Sequence, residues 1–201
     1  PTTFYESAEG DTGLEYDLIK GFADSLGVKF NLVFADKFSD ILPTVTNGHA
    51  DFAAAGLSIT EERKKIVKFT PSYQDVRQQV IYHRNNRRPK SIDDLLNKHI
   101  EVVAGSSHEL NMKKLSGDKP DLQWTSSETA DSDQLLHLVS ERLIEHTIAD
   151  SNEFMIYRRF FPELNVAFDI SQPEKLAWAF PKHRDDSLYQ AASDYLQKIK
   201  N

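Results

Sequence analysis

Two segments of this chain repeat one pattern, and the repeat restricts the available folds more than any other feature. Aligned without gaps, Ile41-Leu42-Pro43-Thr44-Val45 falls on Leu135-Leu136-His137-Leu138-Val139. The strand expected at His49–Ala55 then falls on Leu143–Ala149, Gly56 on Asp150 and Ser58 on Asn152. Each half reads as helix, short turn, strand and polar strand end. In open α/β sheets ligands collect beyond the carboxyl ends of strands. The repeat therefore predicts two lobes, each presenting one such end to a ligand cleft.

The rest of the chain agrees with an α/β class. Leu14, Leu18, Phe22 and Leu26 recur every four residues, with Ile19 and Ala23 widening the stripe, and Gly27 closes this amphipathic helix. Val28, Phe30, Leu32 and Phe34 alternate as in a strand, and residues 76–83 form a long β run. Ser91 and Asp94 form an expected capping box, as do Asp131 and Gln134. Strands are expected at 100–104, 122–125, 146–149, 166–170 and 175–181, alternating with helices that end in one at 187–200. Such alternation argues for largely parallel sheets flanked by helices. The composition shift at Arg84-Asn-Asn-Arg-Arg-Pro-Lys90 reads as a solvated connector between lobes or as a docking patch. It places lobe 1 at 1–82 plus about 174–201, and lobe 2 at about 83–173.

The strand end at Ala53–Arg63, A-A-A-G-L-S-I-T-E-E-R, carries the richest chemistry. Gly56, the hydroxyls of Ser58 and Thr60, a helix start and the guanidinium of Arg63 together suit a carboxylate. Thr60 also reads as a plain N-cap and Arg63 as a first-turn surface residue. On the second half, Asp150 offers a carboxylate to an ammonium group, or caps the helix that follows. Ser106 and Ser107 open another helix, where Ser106 with Glu109 also fits a capping box. The pairing of Arg63 with Asp150 across the halves predicts a small zwitterionic ligand.

Composition excludes several classes. The 201 residues carry 24 Lys and Arg against 31 Asp and Glu, a net charge of −7, which disfavours nucleic acid. There is no cysteine, so thiol catalysis and thiolate metal sites are out. The seven histidines form no i, i+4 pair, and no metal or cofactor is expected. Paired carboxylates at Glu61-Glu62, Asp93-Asp94 and Asp185-Asp186 are adjacent in sequence and point apart, so no acid–base pair for catalysis is evident. No apolar run reaches the roughly 20 residues a membrane helix needs.

The motifs G-L-E-Y-D-L-I-K-G-F-A-D-S-L-G-V-K-F, I-L-P-T-V-T-N-G-H-A-D-F-A-A-A-G-L-S-I-T-E-E-R and F-T-P-S-Y resemble the amino-acid-binding branch of type II periplasmic solute-binding proteins. That resemblance implies a two-lobed domain closing on its ligand, with Arg63 and Ser58 on the α-carboxylate, Ser106 and Ser107 adding donors, Asp150 on the α-amino group, and Tyr73 and Tyr5 (or Phe4) flanking. V-A-G-S-S-H-E-L, T-I-A-D-S-N, F-P-E-L-N-V-A-F-D-I and L-A-W-A-F-P are similar to the N-terminal solute-binding domain of the membrane-bound lytic murein transglycosylase F family. This narrower resemblance implies a periplasmic regulatory domain that senses cell-wall peptides, with the full protein on the periplasmic face of the outer membrane. An attached lysozyme-like domain would then follow the chain, whose E-S-x-W type motif does not occur here. Two other readings stay open: a stand-alone receptor for amino-acid uptake, and a cyclohexadienyl dehydratase, an enzyme on the same fold.

Overall fold

A computed structural model describes residues 4–7 and 10–200. The chain forms two compact units: Pro1–Asp36, Asp40–Asp75 and Lys175–Asn201 in unit 1, and Lys37–Ser39 with Val76–Glu174 in unit 2.

Unit 1 begins with the hairpin β1 (Tyr5–Ser7) and β2 (Gly10–Thr12), followed by α1 (Leu14–Leu26), which Gly27 ends in a left-handed turn at φ 66°. A short helix α2 (Ile41–Thr46) and a single turn α3 (Glu61–Lys64) precede β3 (Val67–Phe69) and β4 (Gln74–Val76). The last segment of unit 1 contributes β10 (Glu174–Leu176), β11 (Ala179–Pro181) and the closing helix α7 (Ser187–Lys200). β10 pairs with β4, and β11 runs antiparallel to β3. Trp178, fully buried, is the centre of the core, packed with Phe22, Phe180, Ala192 and Leu196, while Phe52 stacks on Phe180 at 4.9 Å between ring centroids.

The strand expected at residues 28–34 does not form. Its alternating side chains are half-buried or exposed, Phe34 at 66%, and among the described residues no neighbour supplies a hydrogen-bonded ladder. Alternation of polarity without a partner leaves the N–H and C=O groups to solvent, so the segment stays irregular. The strand expected at His49–Ala55 is likewise reduced to an isolated bridge between Ala53 and Ala179.

Unit 2 is built on one five-stranded sheet. Its strands are β5 (Gln78–His83), β6 (Ile100–Val103), β7 (Trp124–Ser127), β8 (His146–Asp150) and β9 (Leu164–Asp169), in the order β7-β6-β8-β5-β9. β6 runs parallel to β7 and β8, whereas β5 is antiparallel to both β8 and β9, so four of the five strands share one direction and β5 alone opposes them within this sheet. Strand alternation sends Val80, Tyr82 and Ile148 to one face, where α4 (Ser107–Asp118) contributes Met112. Ile81 and Ala149 face the other way, against Leu136 and Val139 of α5 (Ser132–Ser140) and Phe154 of α6 (Ser151–Tyr157).

The division between units falls at Asp75/Val76, ahead of the basic connector at 84–90, because β5 is an inner strand of unit 2's sheet. The expected box at Asp131 is present, with the Asp131 N–H donating to Gln134 Oε1 at 2.9 Å. The box at Ser91 is not: residues 92–95 form one 3₁₀ turn, and Asp94 instead accepts from the Lys90 N–H at 2.7 Å.

Candidate functional site

Each unit assembles a polar cluster around one buried carboxylate. In unit 1 the carboxylate is Glu15, 2% exposed, which accepts from the Gly56 N–H (2.8 Å), from Trp178 Nε1 (2.8 Å) and from the Tyr73 hydroxyl. Burial raises the Glu15 pKa, while Tyr73, Gly56 and Trp178 oppose that rise. Gly56 sits at φ 61°, a left-handed conformation that disfavours side chains, so its amide can turn toward Glu15. Two residues expected to touch ligand, Gly56 and Tyr73, thus share one internal anchor.

Arg63 sits beside this anchor's strand end. It is 8% exposed, and its Nη1 donates to the Ser58 carbonyl at 2.9 Å. Thr60 caps α3: its Oγ1 accepts from the Arg63 N–H at 3.2 Å, which fixes the backbone from which the guanidinium extends. Ser58 is buried and forms a bridge with Leu176. Tyr5 starts β1 opposite Thr12, and its side chain lies outside the described residues.

In unit 2 the buried carboxylate is Asp150, at the carboxyl end of β8 and 8% exposed. Its side chain does not cap α6. Instead its Oδ1 meets Nε2 of His108, 4% exposed, at 3.0 Å. Burial pulls the imidazole toward neutrality, but Asp150, Glu153 and Glu174 outweigh it and hold the His108 pKa above its ordinary value. Burial and the Asp150 charge push Glu153 up to about 7. His108 Nδ1 and Glu174 Oε2 are buried without a hydrogen-bond partner among the described residues.

Cross-strand register explains what joins this cluster. Gln78 pairs directly with Asp150, so both side chains emerge on one face of the sheet. Gln78 donates to Glu174 Oε1 at 2.7 Å and to Ser107 Oγ at 3.3 Å, and accepts from Asn111 Nδ2 at 2.9 Å. Ser106 behaves as an N-cap: its Oγ accepts from the Glu109 N–H (3.2 Å) and donates to the Val103 carbonyl (2.6 Å). Glu109 Oε2 accepts from the Gly105 N–H at 2.8 Å. Gly105 is required here, because a Cβ would lie 2.9 Å from the Ser39 Cα.

Sequence reasoning missed Glu15, His108, Glu153 and Gln78. The signal for two of them was present. Glu15 shares the helical stripe of Ile19 and Phe22, and His108 shares that of Met112 and Leu115. A titratable residue on an apolar stripe is one that the fold buries. No group of three or more His, Cys, Asp or Glu able to hold a metal occurs among the described residues.

Comparisons with known proteins bear on the family and the fold. Over 200 residues the chain is 40% identical to the membrane-bound lytic murein transglycosylase F of Saccharophagus degradans, covering 100% of this chain and 40% of that protein. It is also 40% identical over 200 residues to the transglycosylase F 1 of Alkalilimnicola ehrlichii, with 99% and 40% covered. The chain thus spans about two fifths of the length of these curated relatives and matches their N-terminal part. Among solved structures, an ancestral arginine-binding protein bound to arginine superposes with a TM-score of 0.89 at 26% identity, covering 100% of this chain and 88% of that one. An ancestral amino-acid-binding protein described as a precursor of cyclohexadienyl dehydratase gives 0.86 at 25%, with 99% and 85% covered. Both units therefore follow the type II periplasmic binding protein fold. Across residues 1–201 the chain matches the family of bacterial extracellular solute-binding proteins, family 3, and it belongs to that family.

Proposed function

We propose that this domain binds a small zwitterionic solute, an amino acid or a cell-wall-derived peptide, and that in a longer protein it regulates an attached peptidoglycan lytic transglycosylase. The observation that carries the reading is Arg63: a guanidinium 8% exposed, held on a capped turn beside Ser58. A buried guanidinium with five donors and a planar fork is matched to a carboxylate. Asp150 on unit 2 supplies the opposite charge, for the ammonium end. Ser58, Thr60, Ser106 and Ser107 add hydroxyls near these two charges, and the Tyr73 ring adds an apolar wall. Each charge-assisted hydrogen bond contributes about 1.5–3 kcal/mol. Two of them on one ligand suffice to reverse an open-to-closed ratio of about ten to one. Closure of that kind is a means of reporting ligand to an attached domain.

The regulatory part of the reading draws on the relatives named transglycosylase F, whose name also calls them membrane-bound; a location at the periplasmic face of the outer membrane belongs to the same proposal. No helix among the described residues is long and apolar enough to cross a membrane. The structural neighbours named as arginine- and amino-acid-binding proteins favour a second reading, a stand-alone receptor for amino-acid uptake. Neither reading requires a cofactor or a nucleic acid.

The test is ligand-induced thermal stabilisation of the wild type and of Arg63→Ala, screened with free L-amino acids and with murein tetrapeptide. The wild type should gain several degrees with at least one probe, and Arg63→Ala none, with an unchanged circular dichroism spectrum. Equal stabilisation of both proteins overturns the carboxylate assignment. Tetrapeptide binding without amino-acid binding favours the sensor over the receptor, and conversion of added prephenate would instead reveal a dehydratase.

A further inference from the structure

The basic connector has a use that the reading above does not absorb. Residues 85–89 line a cavity of about 660 Å³ in unit 2, together with Asp94, Lys98, Arg142, Glu145 and His146. That volume lies within the range of small-molecule sites, about 300–1,000 Å³. His146 begins β8, the strand that ends in Asp150, so the cavity and the Asp150 cluster are separated by roughly 13 Å of strand at ~3.3 Å per residue.

We propose that this cavity binds a small polyvalent anion, one carrying two or more carboxylate or phosphate groups. The charge distribution is the first reason. The whole chain has 31 acids against 24 bases, yet the cavity gathers Arg87, Arg88, Lys98 and Arg142 against only Asp94 and Glu145. An anion is repelled by the protein at large and focused here.

The donor accounting is the second reason. Both acids are already engaged: Asp94 by the Lys90 N–H at 2.7 Å, Glu145 by Lys98 at 3.1 Å and by the His99 N–H at 2.9 Å. The guanidinium groups are not used up, since each has five N–H donors. Arg88 spends Nε and Nη2 on the Ala167 carbonyl, at 2.9 and 2.6 Å, which fixes the plane of the fork. Arg142 spends one donor on Asn86 Oδ1 at 3.1 Å. Arg87 makes no hydrogen bond or ion pair among the described residues.

The third reason is His146, 5% exposed, whose Nδ1 has no partner among the described residues. Burial, with Lys98 nearby, lowers its pKa and so keeps the ring neutral, despite Glu145. A buried neutral nitrogen without a partner is costly unless a ligand satisfies it. It suits a hydroxyl-bearing anion better than a bare one.

The backbone supplies a clean variant for the test. Arg142 sits at φ 60°, where a non-glycine residue is strained. Arg142→Gly therefore removes the charge without straining the chain further. Citrate and inorganic pyrophosphate are titrated by calorimetry into the wild type, Arg87→Gln, Arg142→Gly and the double variant at low salt. His146 is followed by ring resonances, and tricarballylate serves as citrate without its hydroxyl. The expected result is binding of citrate or pyrophosphate to the wild type below about 1 mM. Each single substitution should weaken it on the order of tenfold, acetate should not compete, and the His146 ring should shift. Citrate binding more tightly than pyrophosphate identifies a carboxylate site that uses the hydroxyl, and the reverse order a phosphate site. Affinity unchanged in the double variant means an adventitious ion only and overturns the proposal, as does an unperturbed His146. Because Arg63 lies outside this cavity, Arg63→Ala should leave citrate binding intact, so the two readings fail separately.

Discussion

Glu15 in unit 1 and Asp150 in unit 2 are the least exposed acids among the described residues, and they are satisfied by different means. Glu15 in unit 1 is surrounded by neutral donors from Gly56, Trp178 and Tyr73. Asp150 in unit 2 meets an imidazole whose burial lowers its pKa but whose acidic neighbours, Asp150 itself, Glu153 and Glu174, raise it above the ordinary value. The first arrangement is a brace: it ties the start of α1 to the Gly56 turn and to the core tryptophan, and nothing in it has a second charge to exchange. The second is a proton-carrying cluster. A ligand ammonium at Asp150 would compete with the His108 ring for the carboxylate oxygens. We expect the two carboxylates to respond differently to mutation, to pH and to ligand.

The largest expected effect is at His108. His108→Leu leaves Asp150 buried and unpaired, which typically costs about 3–5 kcal/mol. Adding Asp150→Asn removes the orphaned charge, so the double variant should recover much of the loss. Urea unfolding of the two variants measures this, and a double variant no more stable than His108→Leu would break the distinction drawn here. At Glu15, Glu15→Gln keeps one acceptor oxygen but replaces the other with an amide NH2 that faces existing donors. A loss of about 1–3 kcal/mol is expected, nearly independent of whether Asp150 is present. Coupling between the two sites beyond about 0.5 kcal/mol would show that they are not separate devices.

The sign of the pH dependence sharpens the comparison further. His108 has its pKa raised in the folded state, so its contribution is complete below the ordinary imidazole value of 6.5 and is lost as pH rises through the folded value. Glu153 is raised from 4.5 to about 7, so ionising it within the fold costs stability as pH climbs through that interval. Both groups make unit 2 more stable in mild acid than in mild base, and Glu15, also raised, adds to the same trend. The melting temperature should therefore fall from pH 5 to pH 8. Glu153→Gln should flatten that fall and stabilise the protein at pH 8 by about 1–3 kcal/mol. A steeper fall in Glu153→Gln would refute the role of this side chain.

The helical periodicity exposed most of the long helices, because α1, α5 and α7 each bury an apolar stripe that leaves a 3.6-residue signature. Residues 28–34 carry a strand signature without a strand, since alternation records which side chains turn inward and not whether a neighbour accepts the backbone. β5 was legible as a strand, but its place inside the unit 2 sheet depends on pairing with β8 and β9, which no local pattern encodes. At the candidate site, Arg63, Ser58 and Asp150 stood out because they lie in a motif at a strand end. His108 and Gln78 did not: each reaches the cluster only through tertiary register, Gln78 opposite Asp150 and His108 from the first turn of α4. A contact made across a sheet leaves no spacing in the chain.

The smallest expected effect bears on a residue whose two sequence readings were both open. Thr60 caps α3 through its Oγ1 and the Arg63 N–H at 3.2 Å, and loss of such a cap costs about 1 kcal/mol. α3 is only one turn, with acids at Glu61 and Glu62 that favour its N-terminus and Lys64 paired to Glu61 at 2.7 Å. Thr60→Ala should thus lower stability by about that amount, and Thr60→Asn, which keeps an accepting oxygen at the cap, should restore it. If Thr60 only orients the turn, ligand-induced stabilisation in Thr60→Asn should equal that of the wild type. If its hydroxyl also meets ligand, Thr60→Asn should recover the fold and still bind more weakly. The comparison separates the backbone that aims Arg63 from the group that touches what Arg63 holds.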